Sequence, residues 1–549
     1  MKKILFAAVV TTLPVAMMAQ SAISAYQLSQ NDLRGTARFM SMGGAFGALG
    51  GDLSTLNQNP AGIGVYRSSE IGVSMNIDMQ SSTVEDGSIM NKYSNTFVTC
   101  PNFGYIGSIY TGNDVMPYFQ WGVSYGRVVS FNRSFSGGYG SLGTSLSNYI
   151  ATFSNGYSPD VLGQSNSYNP YFESNADWMS ILAYNSYIIN PVGSTSNYNG
   201  LFNESSSISN PNPTVGDAQF TVHQHGQVDE YNINFGGNLS NVVYWGVGFG
   251  ITDIDFYEEA YYDEQLTHAN IPRSQSMTGS TQPGNAYYQL ANRSVVSGSG
   301  FNFKVGLIAK PINELRLGLA VHTPTYYNLS EQYDGSISYS FSENANIPDG
   351  TAYTDYANFD WKLKTPWKIM ASAATVLGGR FILSADYECD FYKDMIVKDY
   401  DGQEYTDLTS DIKYYYKPQN TIRLGAEFRV SPNFSLRAGF ANTSSAVNKT
   451  VNYGGDFDSA GNLVGDAVEV ITSGTNPAYT FDNSTRYITC GMGYRYKGFY
   501  IDAAYVNKHR ESTYHPFTSY VDAQGSVLSP LSDFTTNDNQ IVLSAGFKF

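Results

Sequence analysis

Fourteen stretches of alternating polarity divide this 549-residue chain, and the links between them alternate strictly between long and short. The stretches are 68–80, 95–111, 118–133, 226–240, 242–257, 293–309, 314–328, 359–378, 380–394, 418–430, 432–444, 484–497, 498–512 and 537–549. In "EIGVSMNIDM", Ile71, Val73, Met75, Ile77 and Met79 share one parity; in "QIVLSAGFKF", Ile541, Leu543, Ala545, Phe547 and Phe549 do the same. Period-2 patterns of this kind predict half-exposed strands. Short links fall near 112–117, at Ser240-Asn241, Pro311-Ile312-Asn313, Gly378-Gly379, Ser431 and Lys497-Gly498. Long links are 81–94, 134–225, 258–292, 329–358, 395–417, 445–483 and 513–536. A soluble sandwich has no reason to segregate its long loops to one end. A transmembrane barrel does, with short periplasmic turns and long extracellular loops. The expected fold is therefore all-β, a 14-stranded antiparallel transmembrane β-barrel.

Composition agrees. Charged residues make up 14% of the chain, against about 25% in soluble domains. In lipid every backbone polar group must be paired internally, so strands survive only in a closed barrel. The inward parity carries Asn302, Lys304, Arg316, Lys368, Asp386, Glu388, Arg423, Glu427, Arg437, Arg495 and Asp502. Their mixed signs predict ion pairs inside the lumen. Residues 1–19, "MKKILFAAVVTTLPVAMMA", read as a secretory signal ending at Ala19. Beyond residue 20 there is no apolar run long enough for a membrane-spanning helix. The net charge is −16, or −18 without Lys2 and Lys3, which argues against a nucleic-acid partner. Cys100, Cys389 and Cys490 are too few and scattered for a disulfide framework, and Cys389 and Cys490 read as small buried hydrophobes.

The segment "GGAFGALGGDLSTLNQNPAGIGVY" (43–66) is glycine-rich, yet it has no lysine for a phosphate loop, and Arg67 replaces the third glycine of a dinucleotide fingerprint. Glycine serves close backbone approach, and Pro60 biases Asn59 away from helix, making a rigid corner. The stretch 25–75, containing this segment, resembles the N-terminal part of FadL/TodX-type outer-membrane transporters. The likeness extends to "GSGFNFKVGLIAKPINELRLGLAVHTPTYY", "WKLKTPWKIMASAA" and the terminal "IVLSAGFKF". It implies a hatch (20–67) filling the lumen, closed by Asn59, Pro60, Ala61 and Gly62. Two readings of Arg38 stay open, a pair with a lumen carboxylate and a solvated or purely structural side chain. It implies a barrel over 68–549 whose largest loop is 134–225. It further implies passive passage of hydrophobic molecules such as long-chain fatty acids, captured outside and released sideways into the membrane. The partners implied are that hydrophobic small molecule or lipid, the outer-membrane lipid and lipopolysaccharide, and assembly machinery reading the terminal Phe549. A monomer is expected, with no catalysis and no cofactor.

Within the 134–225 loop, Leu142, Leu146, Tyr149, Ile150 and Phe153 share a helical face behind a possible Ser141 cap. Trp178, Ile181, Leu182 and Ile189 form a second, weaker pattern. The first is the candidate capture site, an exposed apolar landing surface. Pro101 cannot donate a wall hydrogen bond, so it marks a candidate wall kink. Its position near the outer end of its stretch places it beyond the membrane. His223 and His225 share a strand face, the basis of an alternative haem-receptor reading, although a metal site usually needs three or four ligands. A second alternative is a non-transporting, partner-binding barrel like the type IX secretion shuttle branch of the same fold. "DFDSAGNLVGDA" (456–467) imitates a calcium loop, but Ala460 and Ala467 occupy ligand positions and favour a turn. No nucleophile elbow or supported Ser/His/Asp constellation is present.

Overall fold

The computed structural model describes residues 21–84, 89–193, 195–204, 212–275, 280–342, 345–455, 464, 468–472, 474–522 and 525–549. The expected leader and nearly all of the calcium-loop look-alike lie outside them.

Fourteen antiparallel strands close into one wall: β1 (Glu70–Val84), β2 (Lys92–Tyr110), β3 (Tyr118–Ser130), β4 (Val215–Leu239), β5 (Val243–Pro272), β6 (Thr281–Ala309), β7 (Leu315–His322, continuing as Tyr326–Phe341), β8 (Ala357–Lys364, continuing as Lys368–Leu377), β9 (Phe381–Asp390, with an outer piece Ile396–Asp399), β10 (Gln419–Arg429), β11 (Phe434–Ser444), β12 (Tyr479–Tyr496), β13 (Phe499–His515) and β14 (Ser532–Lys548). Closure is made by β14 on β1, from Lys548 opposite Glu70 to Phe534 opposite Val84. The tight turns sit at one end; Gly378 and Gly379 both take positive φ, +56° and +66°, which a two-residue hairpin requires.

The wall is inside-out relative to a soluble sheet. Ile71, Val73, Met75, Ile77 and Met79 are exposed, while Ser74, Asn76 and Asp78 between them are buried. This is the pattern of a strand facing lipid outside and a polar interior within.

Several strands run further than the sequence pattern predicts. β3 continues as Arg133–Tyr139, β4 begins at Val215, not 226, and β5 reaches Pro272, so the largest connection spans 140–214 rather than 134–225. The reason is a reversal of the pattern at the membrane surface. On β5 the exposed Phe249 and Ile251 give way to exposed Asp253 and Asp255, while the inward neighbours become Ile254 and Phe256, both buried. Above lipid the outer face meets water and the apolar residues turn inward. Alternation persists, but its phase inverts.

Helices fill the space this creates. Leu146–Ser154 and Trp178–Asn185 pack into the outer end of the barrel with Phe220, Tyr262, Tyr288 and Ile337 of the wall. Residues 21–66 lie inside the lumen as helices Ala22–Leu28, Ala37–Ser41 and Thr55–Gln58 and a 3₁₀ turn Pro60–Val65. No helix among the described residues is long and apolar enough to cross a membrane.

Candidate functional site

The hatch seats on wall glycines. A β-carbon at Gly306 would lie 1.8 Å from Asn59 Oδ1, one at Gly246 2.1 Å from the Pro60 carbonyl oxygen, and one at Gly439 2.2 Å from the Gly43 nitrogen. Glycine is therefore required on both sides of this contact, in plug and wall. Asn59, extended at φ −131° and ψ 102°, leads into the 3₁₀ turn Pro60–Val65. Its Oδ1 accepts from Ala61 N (3.1 Å), capping the 3₁₀ turn, and its Nδ2 donates to Gly47 O (2.6 Å). Pro60, Ala61 and Gly62 are buried behind it. Asn59→Ala removes a cap and a buried bond, so a loss of about 1–2 kcal/mol is expected. Denaturant unfolding in detergent, compared with the parent chain, checks it.

Charged side chains then pin the hatch to the wall. Arg38 donates through Nε to Glu427 (3.0 Å), which also accepts from Arg437 (2.8 Å); Arg437 reaches Asp502 (2.6 Å). Asp386 accepts from Gly47 N (2.9 Å) and Gln58 Nε2 (3.3 Å) of the hatch. Lys304 pairs with Glu230, Lys368 with Glu388 (3.4 Å), and Arg423 with Glu388 (3.0 Å). Two expected lumen cations depart from this scheme. Arg316 donates instead to the Leu49 carbonyl of the hatch (2.7 Å), and Arg495 makes no ion pair among the described residues. Removing Glu427 strands two buried guanidiniums. Glu427→Ala is expected to cost about 3–5 kcal/mol, read as a lower unfolding midpoint; an unchanged midpoint would refute the anchoring role.

A second cluster, which the sequence analysis did not single out, holds the hatch higher up. Asp32 accepts from Lys508 (2.6 Å) and Arg510 (3.0 Å), Arg34 binds Asp78 (2.9 Å), and Asp482 binds Arg133 (3.1 Å) and Arg510 (3.3 Å). Burial alone would raise Asp32, but Lys508 and Arg510 hold it well below the usual carboxylate range. Its folded value lies below the unfolded value of about 4, so the stabilisation from the Asp32 carboxylate is fully present above that pH and is lost as pH falls through the folded value. Hatch protection from protease is expected to stay flat from about pH 7 to pH 5 and to fall only on stronger acidification. Protection already lost between about pH 7 and pH 5 would contradict it.

The wall is interrupted beside this cluster. The β2–β3 ladder runs from Tyr110 opposite Tyr118 to Asn102 opposite Gly126 and stops there. Above that point β2 pairs only with β1, through a register shift at Met75 that places Cys100 and Pro101 opposite one residue. β3 shifts register against β4 at Val128, whose carbonyl oxygen accepts instead from Asp32 N of the hatch (3.0 Å). Further out the wall closes again, where Ile89-Met90 pair with Gly137-Gly138. The expectation that Pro101 lies beyond the membrane is corrected. It faces Met75, the centre of the lipid-facing run Ile71–Met79. Two lumen cavities border the break. The outer is lined by Ile23, Leu28, Val129, Phe131, Phe256 and Val296 among others, and the inner by Arg127, Val128, Glu230, Lys304, His322 and Lys368 among others.

The candidate capture face is not exposed. Leu142, Leu146, Tyr149 and Ile150 are all buried, packed in the apolar core of the outer barrel, with Phe153 partly buried against them. An amphipathic face in a loop reads the same whether water or a barrel mouth covers it. The helix starts at Leu146, capped by Ser145 rather than Ser141, and Ile189 lies beyond the end of the second helix. His223 and His225 point to the outside of β4: His223 Nδ1 meets Ser134 Oγ (3.1 Å) and His225 packs on Tyr257. No metal-holding group of three or more His, Cys, Asp or Glu occurs among the described residues. Cys490 is exposed and Cys389 half-buried on the lipid-facing parity, which corrects their reading as buried core residues. Phe549 is also exposed, its backbone exchanging two 3.0 Å bonds with Ser69.

A plugged, fourteen-stranded barrel with polar lumen and apolar exterior defines an outer-membrane-type barrel protein. The chain belongs to the family described as TonB dependent receptor-like, beta-barrel, whose model matches residues 180–483. Among solved structures it is similar to a Pseudomonas aeruginosa FadL homologue, at 13% identity over 94% of this chain and 99% of that one, with a TM-score of 0.51. It is also similar to the P. putida toluene transporter TodX, at 12% identity over 94% and 99% of the two chains, with a TM-score of 0.45. No curated protein matches the sequence. The fold is of the FadL/TodX type, as the N-terminal resemblance implied.

Proposed function

We propose that this protein is a passive outer-membrane channel for small hydrophobic molecules, long-chain fatty acids included, which enter the outer cavity and leave sideways between β2 and β3. The observation that carries this reading is the wall break. An unpaired strand edge is costly in lipid and here opens beside two cavities at the depth of the lipid-facing run. The fold shared with the FadL homologue supports it. The hatch blocks the straight path through the lumen, so a lateral route needs no large plug displacement. No energy source or covalent step is required: an apolar solute gains about 0.8 kcal/mol per methylene on leaving water. Uptake of labelled fatty acids and of neutral aromatic hydrocarbons into proteoliposomes tests it. Rates equal to those of protein-free liposomes for both classes would sink the proposal.

A further inference from the structure

The outer cavity contains two carboxyl groups that the hatch-anchoring network does not use. That network is balanced by itself. Arg34, Arg133, Lys508 and Arg510 face Asp32, Asp78, Asp482 and Asp538. Arg133 also lies against the Phe135 and Phe534 rings. Of the cations lining the cavity only Arg293 stands outside that network, and it faces Asp334 (3.9 Å) and the Tyr257 ring.

The opposite wall is acidic. Glu258 on β5 and Glu331 on β7 stand opposite Ser294 and Val296 of β6, so both project from neighbouring positions of one inward face. Both line the outer cavity with Asn292, Phe256 and Tyr333. Glu258 is satisfied by amides: it accepts from Gln224 Nε2 (2.6 Å) and Asn476 Nδ2 (3.0 Å). Glu331 is 4% exposed, and its Oε2 has no hydrogen-bond partner. The Trp361 and Ser294 side chains lie near this carboxyl without closing a bond to Oε2. Asn292 Oδ1, in the same lining, is likewise buried and unpartnered. Burial pushes Glu331 up to about 8, with Glu258 adding to the rise. A buried acceptor left unmade costs about 1–3 kcal/mol, so a ligand donor at Oε2 is favoured.

We infer that the outer cavity is a binding site for apolar molecules whose polar end donates hydrogen bonds, an amine or an alcohol, with Glu331 as the acceptor, and that it disfavours free carboxylates. The inference rests on the channel reading and narrows its substrate class, leaving fatty acids only in their protonated form. An ammonium or hydroxyl head supplies the missing donor to Glu331 Oε2, and the chain packs against Ile23, Val129, Phe131, Phe256 and Val296. A carboxylate head brings only acceptors to a lining whose unpartnered groups, Glu331 Oε2 and Asn292 Oδ1, are acceptors too.

The test uses the purified full chain in detergent and three eight-carbon probes, octylamine, octanol and octanoate, each titrated by displacement of a fluorescent apolar dye. Octylamine and octanol are expected to bind at least about tenfold more tightly than octanoate. Glu331→Gln is expected to weaken octylamine about tenfold and to leave octanol within a few-fold. Octanoate binding as tightly as octylamine to the unmodified chain would overturn the inference, and this comparison needs no variant to fold. An unchanged octylamine affinity in a folded Glu331→Gln protein would overturn it equally. If octanoate wins while proteoliposomes still take up hydrocarbons, this inference falls and the channel reading stands. If no probe binds and no hydrocarbon crosses, both fall.

Discussion

Gly306→Val is expected to unseat the hatch and leave a folded barrel with an open lumen. The α-carbon of Gly306 sits against the Asn-Pro-Ala corner so closely that a β-carbon would be 1.8 Å from Asn59 Oδ1 and 3.0 Å from Ala61 N. Neither atom can retreat. Asn59 is held by its bonds to Gly47 O and Ala61 N, and the Pro60 carbonyl abuts Gly246 on the next strand. Overpacking costs about 1–3 kcal/mol in a core that can shift; here the lost Asn59 bonds add about 1 kcal/mol each. The wall itself does not depend on the corner, since β6 keeps its ladders to β5 and β7. Two readouts are expected to move together. Conductance in planar bilayers rises to that of an unplugged lumen, and added protease cuts near Gly50, which is buried in the parent chain. Val305→Ala, on the adjacent lipid-facing position, is the control and moves neither. A closed, protease-resistant Gly306→Val protein would show that the hatch is not seated through this contact.

Blocking the wall break is expected to abolish uptake without touching the hatch. Val128 is the residue at which β3 leaves its register, and its carbonyl is already committed to Asp32 N. A Val128→Cys variant, in a chain with Cys100, Cys389 and Cys490 replaced by serine, offers a thiol at the edge of the opening. A bulky disulfide-forming reagent there is expected to reduce hydrocarbon uptake to the level of empty liposomes, and reductant to restore it. Uptake that persists under full modification would move the exit elsewhere. The nearest competitor is the pair of Thr-Pro interruptions in β7 and β8. There Thr323 and Thr365 side chains accept the backbone bonds that the ladder lacks, from Phe303 N (3.0 Å) and Thr325 N (2.8 Å). Those interruptions are sealed by side chains, whereas the β2–β3 break is not.

The β5 strand shows how far sequence reasoning reached and where it stopped. Val243 to Ile251 alternate cleanly because lipid and lumen differ in polarity, and the membrane part of every strand was legible for that reason. Past Ile251 the outer medium becomes water, the phase inverts, and Asp253 and Ile254 no longer continue the apolar parity. The sequence pattern places the strand's end at 257, although it runs on to Pro272. Leu146 and Ile150 expose the complementary failure. Their helical spacing was real, but spacing does not say what covers the face. The lumen cations were read as pairing, and most do; their partners, Glu230 for Lys304 and Glu427 for Arg38, lie 74 and 389 residues away and have no local signature.

The sequence by itself determined the class: a closed fourteen-stranded wall, a glycine-rich segment too short to form its own core, and an Asn-Pro-Ala corner. Each follows from rules acting over a few residues: side-chain parity, backbone clash and loop length. Only the tertiary structure decided where the hatch rests, because the partner of Gly43 is Gly439 and that of Asn59 is Gly306. It also decided which wall edge is left unpaired. Pro101 was visible as a missing donor, but a missing donor weakens a barrel only where the neighbouring strand also turns away. At that neighbour, Val128, the backbone N–H of Asp32 occupies the carbonyl that leaves the ladder.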